Sequence, residues 1–203
     1  QVISLELKPG EAFNDMEFAA KIGVSRTPVR EAVIQLSEES RIIEIFPQRG
    51  MRIAPIDVEL VEEARSLRVL LEKQIAGMCC EMATEEDIKW LQENVGLQEF
   101  YMENSRPEMV MQLDDEMHHK LFMICHRELT YGMCQKLAIH YDRIRSLSVN
   151  TVKDNTIIED HRKIIQFIAE HKKENAMAQM EKHLSRWQLN EGKFRQEFPD
   201  YFK

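Results

Sequence analysis

Residues 25–39 have the sequence SRTPVREAVIQLSEE, which predicts an amphipathic helix with a marked beginning. Ser25 is a residue type that begins helices, and Pro28 stands in the first turn, where a missing backbone N–H costs nothing. Four apolar residues recur at helical spacing: Val29, Ala32, Val33 and Leu36. Three polar side chains gather at the exposed N-terminal end of the same helix: Arg26, Thr27 and Arg30.

The residues on either side complete a recognisable outline. Upstream, MEFAAKIG predicts a short helix that Asn14 or Asp15 can begin and Gly23 can end. Downstream, two β-branched runs flank the turn PQRG, which predicts a hairpin with Arg49 and Gly50 at its tip. Helix, tight turn, helix and hairpin over residues 1–55 indicate a winged helix-turn-helix.

In such a module the N-terminal residues of the second helix reach base edges in the major groove, and the hairpin reaches the backbone or the minor groove. Arginine there can make bidentate contacts to guanine. We therefore expect Arg26, Thr27 and Arg30 to bind DNA. The alternative is that these side chains are ordinary solvated surface groups.

The charge of the chain divides at the same boundary. The net charge of −8 argues against a protein that coats nucleic acid indiscriminately. Residues 1–55 hold 7 Lys/Arg against 8 Asp/Glu, whereas residues 56–203 hold 20 against 27 and all 7 histidines. The sequence therefore predicts two units with different roles.

The cysteines and the absence of long apolar runs indicate where in the cell the protein is located. The 4 cysteines lie in apolar helical patterns without CxxC spacing, which is typical of buried thiols in a reducing cytosol. No run of about 18 apolar residues exists to span a membrane, and no signal peptide is recognisable. We expect a cytoplasmic protein. Because the chain starts at Gln1, part of the native N-terminus is expected to be missing.

The second unit, residues 57–203, is predicted to be all-helical. Pro55 favours an extended link and Asp57 a helix start. Apolar residues then recur at three- and four-residue steps, with short connections, over six or seven predicted helices. The last two of these are predicted at residues 154–171 and 176–194. The fold class is therefore mainly α: a winged helix-turn-helix followed by an antiparallel helical bundle.

The stretch LDDEMHHKLF, residues 113–122, contains two Asp–His pairs at i, i+4 spacing. At about 100° per residue, Asp114 and His118 fall inside or beside the apolar arc that starts at Leu113, whereas Asp115 and His119 fall beyond it. A carboxylate on the buried face needs a cation or strong donors to stay charged, and a metal with imidazole ligands supplies that compensation. Periodicity thus favours the first pair.

Two further histidines lie in similar apolar patterns. His161 precedes a run of isoleucines at helical spacing, and His183 stands beside Met180 and Leu184. Taken singly, each is more typical of a histidine at the edge of a core than of a metal ligand.

The first unit resembles the GntR family of bacterial transcription regulators through GVSRTPVREAVIQL and PQRG. This resemblance implies that Arg26, Thr27 and Arg30 contact operator DNA and that Arg49 and Gly50 form the wing tip. It also implies a helix ahead of residue 1, of which VISLELKPG resembles only the end.

The second unit is similar to the FadR-type C-terminal domain, also called FCD. The matching motifs are DDEMH at 114–118, DHR at 160–162 and HL at 183–184. This resemblance implies that a divalent metal ion is held by Asp114, His118, His161 and His183, with coordination positions left open. Zn²⁺, Ni²⁺, Mn²⁺ and Fe²⁺ all suit these ligands, and the ligand set alone does not choose among them.

Together these features predict a homodimeric transcription regulator, such as a repressor, that binds a palindromic operator and responds to a small organic acid at the metal. Four arginines are candidates to hold the other end of that acid: Arg65, Arg68, Arg143 and Arg145. Two alternatives stay open. One is a metal-dependent hydrolase, although no general base or HExxH motif is evident. The other is a regulator whose histidine cluster binds the effector without metal.

Overall fold

The computed structural model describes residues 1–151 and 156–203 and confirms the winged helix-turn-helix. Its elements are β1 (Ala12–Phe13), α1 (Asp15–Ile22), α2 (Arg26–Glu39), β2 (Ile43–Phe46) and β3 (Gly50–Ile53). The strands form an antiparallel sheet in the order β1-β3-β2, with Ile43 opposite Ile53 and Phe46 opposite Gly50. The hairpin β2–β3 is the wing.

Local sequence explains where these elements begin and end. The Asn14 side chain accepts the backbone N–H groups of Met16 and Glu17 at 3.0 and 3.3 Å, which caps α1. Gly23 ends α1 with φ of 74°, and Gly50 in the wing has φ of 99°. Both values lie in the left-handed region that glycine adopts most readily.

The helix that decides this fold is held by its apolar face. Val29 and Val33 of α2 are buried against Phe13, Ala19 and other apolar residues of the N-terminal unit. Ser25 occupies the predicted N-cap of α2, but its side chain makes no capping hydrogen bond. Burial rather than capping therefore fixes this helix in the module.

The second unit is the predicted helical bundle, with seven helices in the described part of the chain. They are α3 (Val58–Met82), α4 (Glu85–Glu103), α5 (Pro107–Ile124), α6 (Glu128–Thr151), α7 (Thr156–Ala169), α8 (Lys173–Leu184) and α9 (Trp187–Glu197). Their apolar faces enclose one large core cluster, and all four cysteines are free and buried in the bundle. No helix among those the structure describes is long and apolar enough to cross a membrane.

One predicted helix was wrong in its extent. The single helix expected over residues 176–194 is two helices, because the chain turns at Ser185 and Arg186 between α8 and α9. At this turn the Arg186 side chain donates to Asp160 on α7, a contact between distant residues that periodicity does not reveal. The start expected for the preceding helix, at residues 154–155, lies outside the described residues.

The two units meet at the linker and the C-terminal tail. Phe202 forms a parallel bridge with Ile56, and the Ile56 N–H donates to the Tyr201 carbonyl at 2.7 Å. From the bundle, the buried Arg143 of α6 donates to the Ala54 carbonyl at 2.6 Å. Thus α6 touches the segment that leaves the wing.

Candidate functional site

Three helices bring four predicted ligands together inside the bundle. Asp114 and His118 lie one turn apart on α5, His161 lies on α7 and His183 on α8. One potential ligand atom from each side chain lies within 4.8 Å of all the others. The four side chains are almost completely buried.

Interatomic distances show a tight cluster of donor atoms. His161 Nε2 lies 3.2 Å from His183 Nε2 and 3.2 Å from Asp114 Oδ1. His118 Nε2 lies 3.8 Å from Asp114 Oδ2. Apolar neighbours on the same helices, such as Met117 and Ile164, are buried in the core and fix how each helix is turned. The neighbours Asp115 and His119 are only half-buried.

Polar side chains behind the cluster orient two of the imidazoles. His161 Nδ1 lies 2.8 Å from Gln98 Oε1. The side-chain N–H of the same glutamine donates to Asn94 at 2.7 Å. The Gln98 oxygen can only accept, so His161 carries its proton on Nδ1 and directs a lone pair from Nε2 into the cluster. A carboxylate oxygen of Glu72 lies against His118 Nδ1, which favours a proton on Nδ1 in the same way.

These supporting residues were absent from the sequence prediction. Glu72 lies on α3, and Asn94 and Gln98 lie one turn apart on α4, all of them buried. The sequence does contain a signal for them, since each is a polar residue at a helix position that the apolar periodicity assigns to the core. Such a position predicts burial, but it does not say which distant side chain the polar group will meet.

Charges around the cluster balance the buried acid. Arg145 of α6 donates to Asp114, and it also contacts Asp115 at 2.8 Å and Asp142 at 2.6 Å. Burial alone would raise the pKa of Asp114, but the attraction of Arg145 holds that pKa well below its usual range. Asp114 is therefore an anion at neutral pH.

Two of the imidazoles, those of His161 and His183, are by contrast held neutral. Burial lowers the pKa of His161 to about 4, in spite of the attraction of Asp114. Burial, with repulsion from His161, also lowers the pKa of His183 well below its usual value. Neutral imidazoles are the form that binds metal ions.

The donor set fits a divalent metal ion. His118 Nε2 is buried and has no hydrogen-bond partner among the described residues, which is costly unless something else fills that role. Three imidazole nitrogens and one carboxylate oxygen form a set that transition metals favour. Glu72 and Gln98 stand where carboxylate and carbonyl partners commonly support metal-bound histidines.

A small cavity of about 50 Å³ lies beside the cluster. Its wall includes Asp114 and His183, together with Arg68, Arg145 and Arg186. The remaining lining residues are mostly apolar side chains of α5, α6 and α7.

Two of the four candidate effector arginines line this cavity and two lie elsewhere. Arg68, paired with Glu72 at 2.6 Å, and Arg145 are on its wall. Arg65 bonds Ser185 at 3.2 Å and is not a lining residue. Arg143 contacts Ala54 at the junction of the two units instead. Arg186, which the sequence prediction did not include, joins the first two.

The candidate DNA-binding residues lie at two places on the N-terminal unit. Arg26 and Thr27 begin α2 and are exposed, and Arg30 follows one turn later. Arg49 and Gly50 are exposed at the tip of the wing. Arg30 Nη1 also lies 3.2 Å from the sulfur of Met51 in β3, so the start of α2 and the wing are neighbours.

Comparisons with known proteins agree with this architecture. The model of the gntR family of bacterial regulatory proteins matches residues 1–53, and the FCD domain model matches residues 63–186. The HTH-type transcriptional repressor RspR of Escherichia coli is 27% identical over 99% of this chain and 88% of its own. The Nta operon transcriptional regulator of Aminobacter aminovorans is 26% identical over 91% and 86%.

A solved structure shows the same fold. Escherichia coli McbR/YncC aligns with a TM-score of 0.78 over 98% of this chain and 93% of its own, at 18% identity.

Proposed function

This chain belongs to the gntR family of bacterial regulatory proteins and carries an FCD domain, and from that premise we propose a specific regulator. It binds a palindromic operator as a homodimer and responds to a small organic acid held beside a divalent metal ion. The observation that carries this proposal is the convergence of three imidazoles and a carboxylate next to an arginine-lined cavity.

In this proposal Asp114, His118, His161 and His183 hold the ion. When bound, the ion supplies positive charge and an open coordination position that suits a carboxylate oxygen of the effector. Arg68, paired with Glu72, and Arg145, paired with Asp114, also stand on the cavity wall, and guanidinium groups bind carboxylates with two parallel hydrogen bonds. An organic acid is therefore the ligand class that this site favours.

The size of the cavity suggests how binding is transmitted. A volume of about 50 Å³ is well below the roughly 300–1,000 Å³ of typical small-molecule pockets. A larger acid enters only when side chains or helices around the cavity move. Because α6 carries Arg145 on the cavity wall and Arg143 on the Ala54 carbonyl, such a movement reaches the segment that leaves the wing.

A thermal-shift screen of small organic acids, with and without EDTA, tests the effector and the metal together. EDTA is expected to lower the melting temperature. An acid present at about 100 times its Kd should raise the melting temperature of the metal-loaded protein by roughly 5–10 °C. Equal stabilisation in EDTA would indicate a histidine cluster that binds the effector without metal. No stabilisation by any acid would contradict the proposed effector class.

An apolar face of α6 supports the homodimer. Leu129, Met133 and Leu137 lie at four-residue steps on one face of α6 and are 89%, 72% and 46% exposed. Leu70 of the neighbouring α3 is 68% exposed. Exposed apolar residues that recur on one helix face, as the three of α6 do, mark interaction sites in soluble proteins.

The pattern of this surface is self-complementary, which favours a second copy of the chain as its partner. Leu129 and Leu137 are placed symmetrically about Met133. If two antiparallel copies of α6 cross at Met133, Leu129 of each copy therefore lies against Leu137 of the other. The exposed Glu128 and Lys136 stand on opposite sides of that crossing, and neither forms an ion pair with a described residue. Gly132 has open space around it, so it permits a close approach.

Met133→Lys is expected to dissociate the dimer, because the crossing would place two like charges together. Like-charge contacts cost several kcal/mol, so the dimer Kd should rise at least about a hundredfold. Sedimentation velocity over a concentration series measures this change. Gln135→Lys adds the same charge at another exposed position of α6 and should leave the dimer intact. A dimer of unchanged affinity in Met133→Lys would contradict the proposed surface.

A further inference from the structure

The first residue of α1 makes contacts that the proposed function does not use. The Asp15 side chain is 3% exposed, an unusual state for an aspartate at the surface end of a helix. One carboxylate oxygen lies 3.2 Å from Arg26 Nε and the other 3.4 Å from Arg30 Nη1. A single buried acid thus touches both arginines at the start of α2.

The two arginines keep part of their surface free while Asp15 holds them. Their side chains are 59% exposed at Arg26 and 41% exposed at Arg30. Arg30 is held from a second side by the Met51 sulfur in the wing. The arginines are therefore fixed in orientation and still accessible to a ligand in solution.

We propose that Asp15 is a positioning residue that sets the sequence specificity of the DNA-binding surface by fixing the orientation of Arg26 and Arg30. This inference rests on the proposed DNA binding. It adds that Asp15 is needed for the protein to bind its operator more tightly than other DNA. Asp15 itself touches no base in this scheme, because its carboxylate acts through the two arginines.

The physical argument concerns what an arginine does when it is not held. A bidentate contact to guanine needs the guanidinium plane at a defined angle, whereas contact with a phosphate tolerates many orientations. A long unrestrained side chain also loses more conformational freedom when it binds. Removing Asp15 releases two cations that can neutralise phosphates anywhere, and it also removes a negative charge that opposes the DNA backbone.

A purely structural role of Asp15 in beginning α1 makes a different prediction. The capping bonds of α1 already come from the side chain of Asn14, which accepts the N–H groups of Met16 and Glu17. A helix that needed Asp15 only for stability would lose affinity for all DNA in proportion to unfolded protein, with no change in salt dependence.

The experiment compares two duplexes at several salt concentrations. One duplex is selected from a randomised pool by the wild-type protein, and the other is a scrambled duplex of equal composition. For Asp15→Asn we expect at least about a tenfold loss of affinity for the selected duplex and unchanged or higher affinity for the scrambled one. The slope of log K against log salt on the scrambled duplex should steepen by about one for each released arginine that meets a phosphate.

Glu17→Gln is the matched control. Glu17 lies in the same first turn of α1 and is exposed, and its partner is Asn14 at 3.0 Å rather than an arginine. This variant also removes one negative charge, so it should keep the wild-type ratio of the two affinities. Asp15→Glu, which retains the charge, should keep both the ratio and the slope.

Each outcome bears on the proposal. A wild-type affinity ratio and slope in Asp15→Asn would overturn it, and so would equal changes in Asp15→Asn and Glu17→Gln. If Asp15→Asn does not fold, as judged by circular dichroism, Asp15→Ser is measured against the same expectations, because serine also suits a helix start. Failure of the wild-type protein to select any duplex would instead contradict the proposed DNA binding.

Discussion

Arg30→Ala is expected to abolish sequence-specific DNA binding and to leave the fold intact. Arg30 lies in the first turns of α2 with a partly exposed guanidinium, held by Asp15 and by the Met51 sulfur. A good bidentate contact to a base contributes roughly 1–3 kcal/mol of discrimination. Because a homodimer on a palindrome loses two such contacts, the affinity for the operator should fall by about 2–6 kcal/mol, or roughly 30-fold to more than 10⁴-fold.

Fluorescence anisotropy with a duplex selected by the wild-type protein measures this loss. Lys21→Ala is a suitable control, since it removes an equal charge from an exposed position at the end of α1. That variant should weaken binding to selected and scrambled duplexes by a similar small factor. Wild-type affinity and specificity in Arg30→Ala would show that α2 does not read the operator through this residue.

His118→Ala is expected to release the metal, whereas the adjacent His119→Ala is expected to retain it. His118 is buried with Nε2 in the cluster, and its Nδ1 contacts Glu72. His119 points elsewhere and stacks on the Tyr131 ring at 4.5 Å between ring centroids. Loss of an outer partner such as Glu72 typically costs 10- to 100-fold in metal affinity, so loss of a ligand should cost more.

Elemental analysis of protein purified without nickel resin or chelator gives the metal content directly. We expect close to one equivalent in the wild type and in His119→Ala, and less than about a tenth of an equivalent in His118→Ala. The melting temperature of His118→Ala should no longer respond to EDTA. Equal metal in the two variants would assign the ion to other side chains, and a metal-free wild-type protein would contradict the metal centre itself.

Much of the fold could be predicted because its signals are local. Asn14 and Gly23 mark the ends of α1 with a side-chain cap and a left-handed residue, both of which depend on neighbouring residues only. The wing follows from two β-branched runs around a turn. The break between α8 and α9 escaped prediction because it accompanies a contact between Arg186 and Asp160, 26 residues apart.

The candidate metal centre could likewise be predicted only in part. The spacing of Asp114 and His118 and the apolar residues around them predict one polar pair on the inner face of α5. That His161 and His183 meet this pair depends on how α7 and α8 pack against the rest of the bundle. The positions of Glu72 and Gln98 behind two of the imidazoles, and of Arg145 on Asp114, were not predictable from periodicity.

The sequence by itself determined the order of the elements, the two units and the inner face of each helix. These features depend on apolar residues three and four positions apart, which are neighbours within a single helical turn. Only the tertiary structure decided which inner faces meet. Arg143 and Arg145 illustrate the difference: two residues apart on α6, they point about 200° apart around the helix. One contacts Ala54 at the junction and the other contacts Asp114 in the cluster, since each buried charge takes the partner that packing brings within reach.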